Sequence, residues 1–273
     1  MKRVVRSWML LWIGAFLAFA APGHGYAAAV SWSAATKAGW DKLTAGADAA
    51  RSAKMKAQAA ELAALQRQEA DLDAKIGAAH AANAAKTAAV RQRIKTINAA
   101  KLSAMAAKTK QVRARNQPVI DQYTQLNKQI STARSLGSRT IAAVLRTEAD
   151  LMKPLVQAAR DHIRKQTAEE KALKDATAKQ AKAIRSTLAG GDAIKRRLSA
   201  EKKLVSSARA SIAALTKSFN QAVKKGDAAG ASSSLSSILG FYRQLNGHKE
   251  KIYGYERDIA ALLVKAERQF PAG

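Results

Sequence analysis

Toward the end of the chain Leu235, Ile238, Tyr242, Leu245, Lys249, Ile252, Glu256, Ile259, Leu263, Ala266 and Phe270 alternate spacings of three and four without a break. That rhythm keeps one stripe of a helix facing a partner helix, as in the a/d seam of a left-handed coiled coil. Ile194, Leu198, Glu201, Val205, Ala208, Ile212, Leu215, Phe219 and Ala222 repeat the pattern, so these two helices should pack on each other. The charged seam members Lys249, Glu256 and Glu201 read as register devices or as long side chains that reach out to water.

Earlier segments follow the same rule with weaker seams: Leu62, Leu65, Leu72 and Ile76, then Val90, Ile94 and Ile97, then Val119, Tyr123, Leu126 and Ile130. Alanine fills many positions between them. A methyl buries little area at roughly 25 cal/mol per Å2, so helix propensity must carry part of the stability. Fraying or a second chain is expected along this part. With aromatics at only 5% and no cysteine, the chain has little material for a globular core and none for disulfide staples.

Breakers divide the helices. Lys224-Lys225-Gly226-Asp227 places cations in a last turn, glycine at the left-handed position after it and aspartate as the next cap. Gly190-Gly191-Asp192 and Leu136-Gly137-Ser138 repeat the idea, which gives three hinges. The Gly230 to Ser234 stretch should leave the start of the last helix loose. Pro118 and Pro154 flank Gly137 symmetrically, so arms folded there would set both prolines at one level. This favours one continuous, kinked helix from about Trp32 to Ser135 over a turn at Asn116-Gln117-Pro118.

The expected fold is therefore all-α: an elongated antiparallel coiled-coil hairpin over residues 28–189, turning near 136–138, with a C-terminal helical hairpin over 190–273 forming a thicker bundle. Mature aromatics fall mainly at the two ends of the sequence, in Trp32 and Trp40 and then from Phe219 on.

Residues 1–27 have the pattern of a secretory signal peptide: Lys2, Arg3 and Arg6 precede an apolar run from Trp8 to Ala21 too short to anchor in a bilayer. Gly25 and Ala27 fit a cleavage after Ala27, with the cut after Ala29 as the alternative. The expected mature chain is secreted or associated with the cell envelope, has no later transmembrane span and carries no thiol for a lipid anchor.

Charge narrows the partners. The chain holds 47 Lys and Arg against 20 Asp and Glu, a formal +27. Between Ala74 and Ile120 there is no acid at all, and up to Thr147 the only one is Asp121. A helix normally interleaves both signs; one this one-sided repels itself and attracts polyanions. The candidate contact residues are Lys86, Arg91, Arg93, Lys95, Lys101, Lys108, Lys110, Arg113 and Arg115. They spread round most of the helix, which suits diffuse charge contact and argues against an insertion-type amphipathic helix in that segment. For an exported chain the expected partners are anionic wall polymers or lipid headgroups, with a homo-oligomer open; a solubilising role alone is the competing explanation.

Catalysis finds no motif. His80, His162 and His248 lack a second His, Cys or paired carboxylate at ligand spacing, and no Gly-rich phosphate loop, nucleophile elbow or HExxH occurs, so no catalytic, cofactor or metal residues are assigned. Nucleic-acid binding would be non-specific and backbone-only, since the basic region has no aromatic platform or finger spacing. Export, a basic pI and long helices make the chain similar in general build to periplasmic holdase chaperones with basic helical arms. That likeness implies a holdase as the alternative function and supplies no residues.

Overall fold

The computed structural model describes residues 32–271, which form six helices: α1 (Ala34–Gly46), α2 (Ala49–Thr96), α3 (Ala99–Ser135), α4 (Arg139–Ala189), α5 (Gly191–Lys225) and α6 (Ala228–Glu267). The expected signal segment and its cleavage site lie outside these residues. The fold is all-α and built from helical hairpins.

The expected single helix from Trp32 to Ser135 is instead three. Gly46 ends α1, Ala47 is extended, and Asp48 caps α2 by accepting the Arg51 N–H at 2.8 Å. This is the same glycine-to-aspartate punctuation as at Gly226, spread over one more residue. The second break is at Asn98, whose φ of 55° is left-handed; its short amide tolerates that region and donates to Thr177 Oγ1 at 3.0 Å.

Two of the three glycine hinges are as read. Gly137 and Gly226 have φ of 78° and 74°, and the N–H groups of Ser138 and Asp227 reach back to Ala133 O and Ala222 O, closing Schellman turns. Asp227 also accepts the Gly230 N–H at 2.8 Å. Ser138 begins α4 without a side-chain cap. Gly190 departs from expectation: at φ −56° and ψ −23° it stays right-handed, so α4 passes into α5 after a one-residue interruption. Leu262 packs against the bare face of Gly190, where an added Cβ would meet its methyl at 3.3 Å.

Both prolines lie inside helices, Pro118 in α3 and Pro154 in α4. The carbonyls opposite their missing N–H groups belong to exposed residues, Ala114 and Asp150. They do not face each other, because the α3–α4 register pairs Asn116 with His162 and packs Tyr123 with Met152 around Leu126, Ile130 and Ala149.

The helices divide into two compact units. The first holds the described residues up to Ala78 together with Arg196–Tyr255. Its core is the seam read from sequence: Leu235, Ile238, Tyr242, Leu245 and Ile252 are buried, as are Leu198, Val205, Ala208, Ile212 and Phe219. α5 and α6 fold back on each other at Gly226, and α2 lies along α6 in the same direction, with Gln58 on Ser232 and Ser236, Gln66 on Tyr242 and Asn246 on Leu65 O. Ala231 and Ser232 are buried there, so the start of α6 is packed and not loose. α1 closes this unit with Trp32, Trp40 and Phe219, whose ring centroids lie 5.2 to 5.5 Å apart.

The second unit holds Ala79–Lys195 and the described residues from Glu256 on. Val90, Ile94 and Ile97 of α2 meet Ala181 and Ile184 of α4 and Ala266 of α6, with Phe270 beside them. Beyond them α3 and α4 form an antiparallel hairpin with a thin, alanine-rich interface that includes Ala133, Ala142, Ala149 and Ala159. Small side chains permit close approach but bury little, which matches the weak seams of this stretch.

Candidate polyanion interface

The acid-free run occupies the end of α2 and most of α3. Arg91, Arg93, Lys95, Lys101, Lys108, Lys110, Arg113 and Arg115 are exposed, and Lys86 is half-buried. They do not form one face, in keeping with the periodicity. Tertiary structure supplies part of the missing negative charge from elsewhere in the chain. Lys86 Nζ lies 2.8 Å from Glu267 Oε2 of α6, and Arg93 stacks over the Phe270 ring with its guanidinium carbon 4.2 Å from the centroid.

Farther along, Lys110 and Arg113 line an open cleft of about 500 Å3 with Thr109 of α3 and Thr167, Glu170, Lys171, Lys174 and Asp175 of α4. Here the two lysines of α4 are already paired, Lys171 with Asp175 and Lys174 with Glu170. The hydrogen bond from Lys174, reinforced by Thr109, holds the Glu170 carboxyl below the usual glutamate range. Arg113 Nη2 reaches Thr167 Oγ1 at 3.4 Å. Within the described residues, Lys95, Lys101, Lys108, Lys110 and Arg115 take part in no ion pair. The α3–α4 hairpin keeps 18 Lys and Arg against seven Asp and Glu, so cross-helix pairing leaves it strongly positive.

The seam charges are a separate matter. Lys249, only 2% exposed, puts its ammonium 2.7 Å from both Glu69 and Asp73, and Arg209 adds a second cation to the same carboxylates at 2.9 and 3.4 Å. Glu201 takes His248 Nδ1 at 2.6 Å, with Lys251 at 3.7 Å. In the other unit Glu256, 1% exposed, receives Asn83 Nδ2 at 2.8 Å and faces His80 Nδ1 at 2.9 Å. His162 lies 3.3 Å from Asn116 Nδ2. His80, His162 and His248 thus each have a partner that only the tertiary fold supplies.

These partners sit far away in sequence, 176 residues apart for His80 and Glu256, which is why local spacing could not find them. The available signal was weaker: Glu201, Lys249 and Glu256 stood at positions that had to be buried, and a buried charge demands a counterpart. Among the described residues no group of three or more His, Cys, Asp or Glu stands close enough to hold a metal ion, and no helix is long and apolar enough to cross a membrane. Comparison with protein families, curated proteins and solved structures returns no match for this chain.

Proposed function

We propose that this chain is an exported, non-catalytic interaction protein that holds to anionic envelope polymers or surfaces through dispersed cations of the α2 end and α3. The observation that carries the reading is a set of exposed lysines and arginines, Lys95, Lys101, Lys108, Lys110 and Arg115, without carboxylate partners in a segment that has no acid of its own. Folding the chain on itself neutralises Lys86 and shields Arg93, yet leaves these. Unpaired exposed cations at this density raise a local positive potential that a flexible polyanion meets at many points, with little geometric demand. The helices set the spacing of these charges, and the open cleft beside Lys110 is shared with Glu170 and Asp175.

The test is charge reversal at Lys101, Lys108, Lys110 and Arg115 together, each to Glu, followed by retention on isolated anionic wall material. Retention of the unaltered chain should fall steeply as salt rises, since exposed charges are screened over about 10 Å at 0.1 M. The reversed variant should wash through at low salt. Equal retention of the two forms at low salt defeats the reading.

A further inference from the structure

The inner row of α4 runs through Ala142, Leu145, Ala149, Met152, Val156 and Ala159, all buried or half-buried. A second row stands one residue before each of these, at Ile141, Val144, Glu148, Leu151, Leu155 and Ala158, and the same alternation of three and four continues to His162 and Lys165. A one-residue offset sets the two rows about 100° apart round the helix, each with the spacing of a coiled-coil seam. The outer row is bare. Ile141 is 56% exposed, Val144 65%, Leu151 74% and Leu155 62%, and its remaining members are exposed as well.

Glu148 states what the outer row requires of an occupant. Charged seam members elsewhere in this chain are met from a neighbouring helix, Lys249 by Glu69 and Asp73, Glu256 by Asn83 and His80. Glu148 holds the same kind of position with nothing opposite. Its own helix offers no cation, since Val144, Leu145, Leu151 and Met152 stand three and four residues away, and among the described residues it takes part in no ion pair. Lys165, farther along the same row, is likewise in no ion pair, although Asp161 and Glu169 stand one turn to either side. The carboxylate repels an anionic occupant, and a wholly apolar one would bury it without a counterpart.

A second copy of the chain laid antiparallel answers both charges at once. With the two-fold axis between Val156 and Gln157, Glu148 of each copy stands opposite Lys165 of the other, Leu151 opposite His162 and Leu155 opposite the small Ala158. Ile141 then lies over Ala172, and Val144 beside Glu169. The axis falls away from Glu148, so like charges are not set together, and at 1.5 Å per residue the two Gly137 turns end about 60 Å apart, far beyond the range of screened repulsion. Covering both rows removes on the order of 1,000 Å2 from water, the size that a specific pairing needs. We infer that the chain pairs with a second copy through the outer row of α4, antiparallel and in the register that joins Glu148 and Lys165 in two reciprocal ion pairs. The Lys86–Arg115 cations take no part in this row, so the pairing and the polyanion reading fail separately.

The test is sedimentation equilibrium of the purified chain, which should give the mass of two chains. Leu151→Ser combined with Leu155→Ser should weaken the dimer by about tenfold or more, while Leu204→Ser, an exposed leucine elsewhere, leaves it unchanged. Glu148→Lys and Lys165→Glu should each weaken it by about tenfold, and the two together in one chain should restore it. The chain has no cysteine, so register can be read by cross-linking. Glu148→Cys mixed with Lys165→Cys should form a disulfide between chains, whereas Glu148→Cys alone should not, because its two thiols would lie about 25 Å apart. Reversal of Lys101, Lys108, Lys110 and Arg115 should leave the dimer intact even where wall retention is lost.

Helix content by circular dichroism verifies that each variant folds, as substitutions of exposed side chains should allow. A chain that stays monomeric overturns the inference, as does a dimer that the serine substitutions leave intact. Cross-linking of Glu148→Cys to itself, or failure of the double charge swap to restore pairing, overturns the register. A monomer that uses Leu151 and Leu155 to bind vesicles or to protect an unfolded client would assign the row to that occupant instead.

Discussion

Lys249 Nζ lies 2.7 Å from Glu69 Oε1 inside the first unit, where only 3% of the lysine side chain and 13% of the glutamate side chain are exposed. A charge this deep holds its helix in one register, because sliding α6 along α2 would strand the ammonium without a carboxylate.

Removing that lysine should therefore cost more than its methylenes. Lys249→Ala leaves Asp73 and Glu69 with Arg209 alone, and urea unfolding should show a loss of about 3–5 kcal/mol. A loss below about 1 kcal/mol would mean that Arg209 compensates and that the pair does not set the register.

The aromatic closure of α1 gives a second expectation. Trp40 is 4% exposed and wedged against Trp32 and Phe219, so Trp40→Ala should destabilise by about 3–5 kcal/mol and flatten the near-ultraviolet dichroism. Gly39 next to it leaves no space for a side chain, since a Cβ there would fall 2.6 Å from a Val223 methyl. Gly39→Ala should lower stability by about 1–3 kcal/mol.

Backbone geometry at Asn98 makes a prediction of opposite kind. With φ at 55°, Asn98→Gly should be close to neutral once the lost bond to Thr177 is set against relief of the left-handed strain. Asn98→Val, which keeps the strain and adds a β-branch, should cost about 1–2 kcal/mol by denaturant titration. Equal stability of the two variants would show that this break does not depend on the left-handed residue.

Acid should loosen the α3–α4 pairing through Glu170. Its carboxyl is held below the ordinary glutamate value of about 4.3 by the Lys174 hydrogen bond and by Thr109. A depressed folded-state value contributes stability above the unfolded value, and that contribution fades as pH falls through the lower folded one. Thermal melts below about pH 4.3 should therefore fall more steeply for the unaltered chain than for Glu170→Gln. Parallel melting curves would remove Glu170 from the account.

What could be read from sequence was whatever repeats locally. The seam from Leu235 to Ala266 is buried almost position by position, and the turns at Gly137 and Gly226 are marked by a residue that alone adopts their φ without cost. Gly190 misled because glycine permits a left-handed turn without requiring one; here its value is the bare surface that admits Leu262. The break at Ala47-Asp48 carried the same punctuation as Gly226, but one extra residue hid it. Asn98 gave no stronger sign than any asparagine in a helix.

The candidate surface divides in the same way. That α2 and α3 lack acids over this run is visible in the chain; that Glu267 covers Lys86, or that Glu170 and Asp175 border the cleft at Lys110 and Arg113, depends on which helices become neighbours. The exposed stripe from Leu136 to Leu155 was hidden for a related reason. No seam was read from the sequence over Ile141 to Leu155, and only the packing of α3 shows which apolar positions of α4 stay bare.

The first unit joins partners 174 to 182 residues apart, as Gln58 with Ser232 and Gln68 with Glu250. Trp40, Met55 and Leu62 therefore leave the ribosome long before the helices that bury them exist. During synthesis their surface has no native cover, and loop closure over that distance comes late and slowly. A polypeptide arrested before α6 would carry a permanently open groove along α2, so premature release exposes to proteases and chaperones a face that the finished molecule never shows.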